Sequence, residues 1–246
     1  QATGRIIADL PDLAAETLKM TMGRYETGTA QLPVPTAPDD WQRATLPGFA
    51  ALIALGTADN GDDYPVWGGL VAKRARAAGG SPAVQLGLVT CEGYLDRRYV
   101  GDIAYSGVDQ NAIAANLVDV HAGPGAAGLP FILDWSPSAT ARDRAYRDDD
   151  DRTVYVALTQ LMGVIGGPEW TIGWRYLHGP ERIVPVLHVR DRLGSAPPPG
   201  LRPAAWLDMP GCVVDVQTIE DYSTGAGAND VIATGSSQGD QRPEST

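Results

Sequence analysis

Gly235-Ser-Ser237-Gln-Gly239 has the G-x-S-x-G spacing that presents a nucleophilic serine on a sharp strand-to-helix turn. Such an elbow needs a helix behind it and a histidine base later in the chain. Here Asp240 to Thr246 is polar and all three histidines lie upstream, so the segment reads as a polar turn. Gly123-Pro-Gly125-Ala-Ala-Gly128 fits G-x-G-x-x-G, which binds phosphate only where it follows a strand and opens a helix. In this chain it follows a helical pattern and precedes a strand pattern, and a turn is again the better reading. The run Asp148 to Asp151 offers the oxygen ligands that hard cations prefer. No further carboxylate or glycine sits at the spacing of a Ca²⁺ loop. Acidic residues ahead of a helix satisfy its free N–H groups and suit its dipole, so a capped, solvated turn is expected.

His121, His178 and His188 fall on three different elements, without an H-x-x-x-H pair or a neighbouring cysteine. They read as core or edge histidines. With 30 Asp and Glu, many carboxylate pairs are available for glycoside chemistry, but none is singled out by an apolar neighbourhood that would raise one pKa. The residues therefore assign no catalytic group, no cofactor and no metal ligand.

The elements that would position any site are short. Residues 1 to 40 mix brief apolar alternations with turns, and Gln31 to Asp40, with three prolines, reads as an extended connector or edge. Gly48 to Leu55 and Val66 to Arg74 look like strands around the turn Asn60-Gly61-Asp62-Asp63. In Ala83 to Thr90, Val84, Leu86 and Leu88 share one face, which is strand spacing. Asp109 is a natural N-cap for a helix carrying Ile113, Leu117, Val120 and His121 and ending at Gly123. A second helix is expected with Val154, Leu158, Leu161, Met162 and Ile165 on one stripe, closed by Gly166-Gly167-Pro168. Phe131 to Leu133 is a short strand. Trp170 to His178, with large rings at alternate positions, is the cleanest strand pattern in the chain. Arg182 to Val189 and Val213 to Tyr222 are further strands, separated by a proline-rich loop.

The pattern predicts an α+β, β-barrel-rich chain. Two small β-barrel modules, 1–100 and 181–246, flank a small α/β insert at 101–180 with two helices. The 246 residues carry 19 Lys and Arg against 30 Asp and Glu, a net charge of −11. An acidic chain is poorly suited to gripping phosphate backbones or docking on an anionic membrane. The apolar run Phe49 to Leu55 is well short of the roughly 20 residues a membrane helix needs. Cys91 and Cys212 make neither a disulfide framework nor a four-ligand zinc site; one long-range disulfide between them stays open beside the preferred reading of two buried free thiols.

Four segments, in order, carry a resemblance. They are Trp67-Gly-Gly-Leu-Val-Ala-Lys-Arg74, Cys91 to Asp102, Gly167 to Ile172, and Tyr222 to Gly235 with its Asn-x-Val/Ile-x-Ala-x-Gly ending. Together the chain resembles the tail-hub (baseplate hub) and minor tail proteins of long-tailed bacteriophages, especially those infecting actinobacteria. The resemblance implies a structural virion protein, not an enzyme, forming a ring, usually a homotrimer, at the tip of the tail tube. It implies as partners other copies of the chain, a distal tail or tube protein, the tape measure protein, and tip or fibre proteins. DNA would be met only in transit, through a channel whose excess carboxylate lets it slide, and no membrane would be bound. Relatives usually continue into further domains, so the chain is expected to be the first portion of a longer tail protein. Trp67, Trp135 and Trp206 flank turn-rich segments and are the interface candidates.

Two rival readings have their own signals. A hydrolase of cell-wall polymer would use acids such as Asp134 or Glu169. A carbohydrate-binding module would stack sugars on Trp170, Trp174 and Tyr176, which requires those rings to be exposed.

Overall fold

A computed structural model describes residues 3–76, 82–178 and 181–194. Its strands are β1 (Ala14–Thr17), β2 (Thr27–Pro33), β3 (Ala51–Thr57), β4 (Asp63–Arg76), β5 (Ala83–Thr90), β6 (Ile103–Asp109), β7 (Ile132–Trp135), β8 (Ala141–Tyr146), β9 (Glu169–Leu177) and β10 (Arg182–Arg190). Its helices are α1 (Trp41–Ala44), α2 (Glu92–Leu95), α3 (Gln110–Ala122) and α4 (Val154–Met162). The fold is α+β and dominated by curled β-sheet.

Strands β1 to β5 form one antiparallel sheet in the order β1-β2-β5-β4-β3. Register shifts at Ala15/Thr17, Ala54/Leu55 and Val71/Lys73 add local twist and bend the sheet. Its inner face holds Ala30, Leu32, Leu52, Trp67, Val71, Val84, Leu86 and Leu88, all buried. The Val84, Leu86, Leu88 alternation is therefore the core face of β5, and the Asn60-Gly61 turn joins β3 to β4 with Gly61 at φ 85°. Gln31 to Pro33 departs from expectation. It ends β2, an inner strand between β1 and β5, and Pro33 is tolerated because it stands at the strand's last position.

The second layer pairs a three-stranded sheet, order β7-β10-β9, with α3 and α4. Asp109 caps α3 by accepting from the N–H groups of Asn111 (2.9 Å) and Ala112 (3.0 Å). Ile113, Leu117 and Val118 are buried, whereas Val120 lies on the outer face. Thr153, not the aspartate run, caps α4, and its hydroxyl accepts from Val156 N–H. Asp148 to Asp150 instead make a separate 3₁₀ turn closed by Asp151 in the left-handed region (φ 47°). The helix ends at Gly163, so Ile165 falls outside the stripe and is 98 % exposed. The glycine pattern after α3 is a turn: Gly123 terminates the helix and Gly128 N–H donates back to its carbonyl. Arg98 adds a cation at that helix end, donating to the carbonyls of His121 and Ala126. The hairpin β9–β10 spans position 180, and β6 with β8 forms a separate two-stranded ribbon.

A buried carboxylate joins the two layers. Glu92, at the start of α2, accepts from Ile172 N–H on β9 (3.1 Å). That N–H points away from β10, so Ile172–Leu187 is a non-hydrogen-bonded pair, and by alternation so is Trp174–Pro185. Pro185 N therefore faces the β7 side, where pairing begins only at Val186, and no ladder bond is lost. Burial pushes the Glu92 carboxyl above its ordinary value, although the Thr90 hydroxyl and two backbone N–H groups pull the other way. Gly68 completes the joint: a Cβ there would collide with the Trp174 indole, so β4 and β9 meet only because that side chain is absent. No described helix is long and apolar enough to cross a membrane.

Candidate interaction surface

The hairpin of β3 and β4 runs past the sheet that carries it. β4 pairs with β5 only from Gly69 onward, while its pairing with β3 continues to Asp63. Beyond the Ala54/Leu55 register shift a two-stranded arm projects, with Leu55 44 %, Tyr64 49 % and Val66 46 % exposed. The Tyr64 ring lies over Gly56, whose Cβ would meet it at 3.1 Å. Asp59, Asp62 and Asp63, all exposed, make the tip acidic. The turn is held by Asn60 donating to Asp62 (2.7 Å) and Thr57 donating to Asp63 (2.8 Å).

A shallow, open groove of about 670 Å³ lies on the outer face of the same sheet, between β1, β2, β5 and β4. Its floor is low at Gly87 and Ala72, and Thr17, Tyr25, Thr27, Thr29 and Arg97 wall it, whereas Gly28 faces the core side of β2. Lys73 stands at the β4 register shift beside Gly87. Among the described residues neither Lys73 nor Arg97 forms an ion pair.

Trp67 is buried in the sheet core with its indole N–H donating to the Lys19 carbonyl (3.1 Å). Trp135 closes β7 and is 38 % exposed. Trp206 lies outside the described residues, as do Cys212, the G-x-S-x-G pattern, Val213 to Tyr222 and the Tyr222 to Gly235 segment. Cys91 is buried, and burial pushes its thiol up. His121 is partly buried near the end of α3, His178 is exposed beside Tyr176, and His188 is partly exposed on β10.

Parallel pairing of β7 with β10 creates one cluster that spacing could not reveal. Asp134 accepts from Arg190 Nη2 (2.6 Å) and hydrogen-bonds His188 Nδ1 (2.8 Å). Arg190 and His188 together hold the Asp134 carboxyl below its ordinary value. Glu169 is held low by the Leu193 N–H and Arg192. A glycosidase acid needs the opposite shift, so neither Asp134 nor Glu169 has the environment of a general acid. Trp170 is fully buried and Trp174 packs on Gly68, so the three-ring sugar platform does not form. Among the described residues no group of three or more His, Cys, Asp or Glu is placed to hold a metal ion.

No family model matches this chain, and no curated protein matches it. Among solved structures it is similar to the c3393 protein of E. coli, described as a component of the type VI secretion system with structural similarity to the T4 bacteriophage tail proteins gp27 and gp5. The TM-score is 0.38 at 11 % identity, over 72 % of this chain and 48 % of that one. This chain thus matches about half the length of that protein.

Proposed function

We propose that this chain is a structural, non-enzymatic component of a phage tail, located at the tip of the tail tube, where copies associate into a ring of three. The observation that carries this reading is the five-stranded sheet with unpaired outer strands, a projecting apolar arm and an open groove on its outer face. Surfaces of this kind are built to be covered, and a closed ring covers the same patch on every copy. The order of the four tail-hub-like segments supports the same assignment. In the ring, the chain links the tube to the tip and gates passage of the tape measure and the genome. The −11 net charge suits a channel wall that repels the DNA backbone and lets it slide.

Native mass spectrometry of the purified chain tests the reading, with a three-chain species expected. A stable 26.0 kDa monomer that cleaves cell-wall polymer would overturn it. A neutral or basic channel wall in the assembled ring would remove the sliding role while leaving the ring.

A further inference from the structure

The arm and the groove are built on one strand. Val66 belongs to the arm and Ala72 lines the groove, six residues apart on β4, or about 20 Å at strand rise. They lie toward opposite ends of that strand, so a chain cannot fold its own arm into its own groove. Their chemistry is complementary. The arm offers Leu55, Tyr64 and Val66 beneath an acidic tip, and the groove offers a low Gly87 and Ala72 floor with Arg97 in its wall and Lys73 beside Gly87, while Glu16, accepting from the wall residue Thr29 (2.8 Å), stands at the β1 side. Like-for-like contact is disfavoured, because two acidic tips repel and two low floors leave a void.

We infer that the β3–β4 arm of one copy seats in the outer-face groove of the next copy, an arm-into-groove contact that rests on the ring reading above. The contact is heterologous, with different patches meeting at each junction, and it closes wherever the rotation per copy divides the circle. Apolar side chains on the low floor supply the buried area. The acidic tip against Lys73 and Arg97 sets direction and register and makes assembly salt-dependent.

The test is a charge swap read by native mass spectrometry. Asp59→Lys with Asp63→Lys reverses the tip and leaves the Asn60–Asp62 turn bond in place. Lys73→Glu with Arg97→Glu reverses the groove margin. Each pair of substitutions is expected to convert the assembled species to the 26.0 kDa monomer with unchanged circular dichroism, and the fourfold variant is expected to reassemble. Recovery in the fourfold variant separates a lost contact from a misfolded chain. If the native chain assembles and both reversals assemble equally well, the arm-into-groove contact is wrong and the ring stands. If the native chain is monomeric, both fall.

Discussion

The helix-backed half and the five-stranded sheet solve burial in different ways. Around α3 and α4 even polar groups are enclosed; Asn111 Oδ1, His121 Nε2, Trp170 Nε1 and Trp174 Nε1 are buried there without a hydrogen-bond partner among the described residues, while other buried polar atoms are paired. Gln110 and Asn111 are fully buried, yet Gln110 donates to the Gly166 carbonyl (2.9 Å) and accepts from Arg142 (3.1 Å), while Asn111 donates to the Ser136 carbonyl (2.9 Å). The Ser138 hydroxyl, and after it the Gln110 and Asn111 amides, hold the Asp191 carboxyl below its ordinary value. The five-stranded sheet fills one face with Leu32, Val71 and Leu86 and leaves the other face and its arm open. On the ring reading, stability would be concentrated in one half and association in the other. Substitutions should separate the two.

The largest expected effect lies in the helical core. Leu158 on α4 is completely buried within a cluster that includes Ile113, Leu117 and Trp170. Leu158→Ala should cost about 2–5 kcal/mol in urea unfolding, through lost transfer energy and the cavity left behind. Next comes the polar latch. Asn111→Ala strands the Ser136 carbonyl and removes one donor to Asp191, and should cost about 1–3 kcal/mol by the same measurement. If that loss stayed near zero, the contrast between an enclosed and an open half would fail at its polar end.

What the sequence disclosed follows the range of the interactions. The Asp109 cap, the Asn60-Gly61 turn and the Trp170 to Leu177 strand are local signals of period or capping, and all are present. Ile165 misled because stripe periodicity continues past Gly163 while the helix does not. The aspartate run misled because Thr153 lies two residues beyond it and takes the cap. Gln31 to Pro33 reads as a connector from its prolines, yet pairing with β1 and β5 decides the matter. Glu92 and Ile172 are 80 residues apart, and the Asp134, His188 and Arg190 cluster needs a parallel pairing that no spacing announces. The arm left one faint trace, a glycine at position 56 within an apolar strand, where an aromatic ring lies across the bare backbone.

Glu92 sharpens the comparison at the joint between the halves. Its folded pKa is raised, so folding takes up a proton, and its favourable contribution is fullest below the ordinary glutamate value near 4.5. That contribution is lost as pH rises through the raised value. Asp134, Asp191 and Glu169 are lowered and act in the opposite sense on the acid side, so the informative quantity is a difference between variants. Glu92→Gln keeps an oxygen for the Ile172 N–H and removes the titration. Its stability relative to the native chain should rise with pH across the window above 4.5 and then level off. A flat difference would mean that the carboxylate is solvated and that the joint is not closed.

The smallest effect on folding is expected where the effect on assembly is greatest. Tyr64 is about half exposed, and its ring covers only the backbone of Gly56 and its own arm. Tyr64→Ser should change the unfolding free energy of the monomer by no more than about 0.5 kcal/mol, as is usual at surface positions away from caps and cores. Yet the ring is the largest apolar group the arm presents, and buried aromatics dominate contact energies. Sedimentation velocity across a concentration series should therefore show the Tyr64→Ser chain dissociated where the native chain is assembled. Leu158→Ala should behave inversely, keeping the native assembly until the subunit itself unfolds. A Tyr64→Ser chain that lost several kcal/mol while still assembling would reverse the division of labour between the two halves.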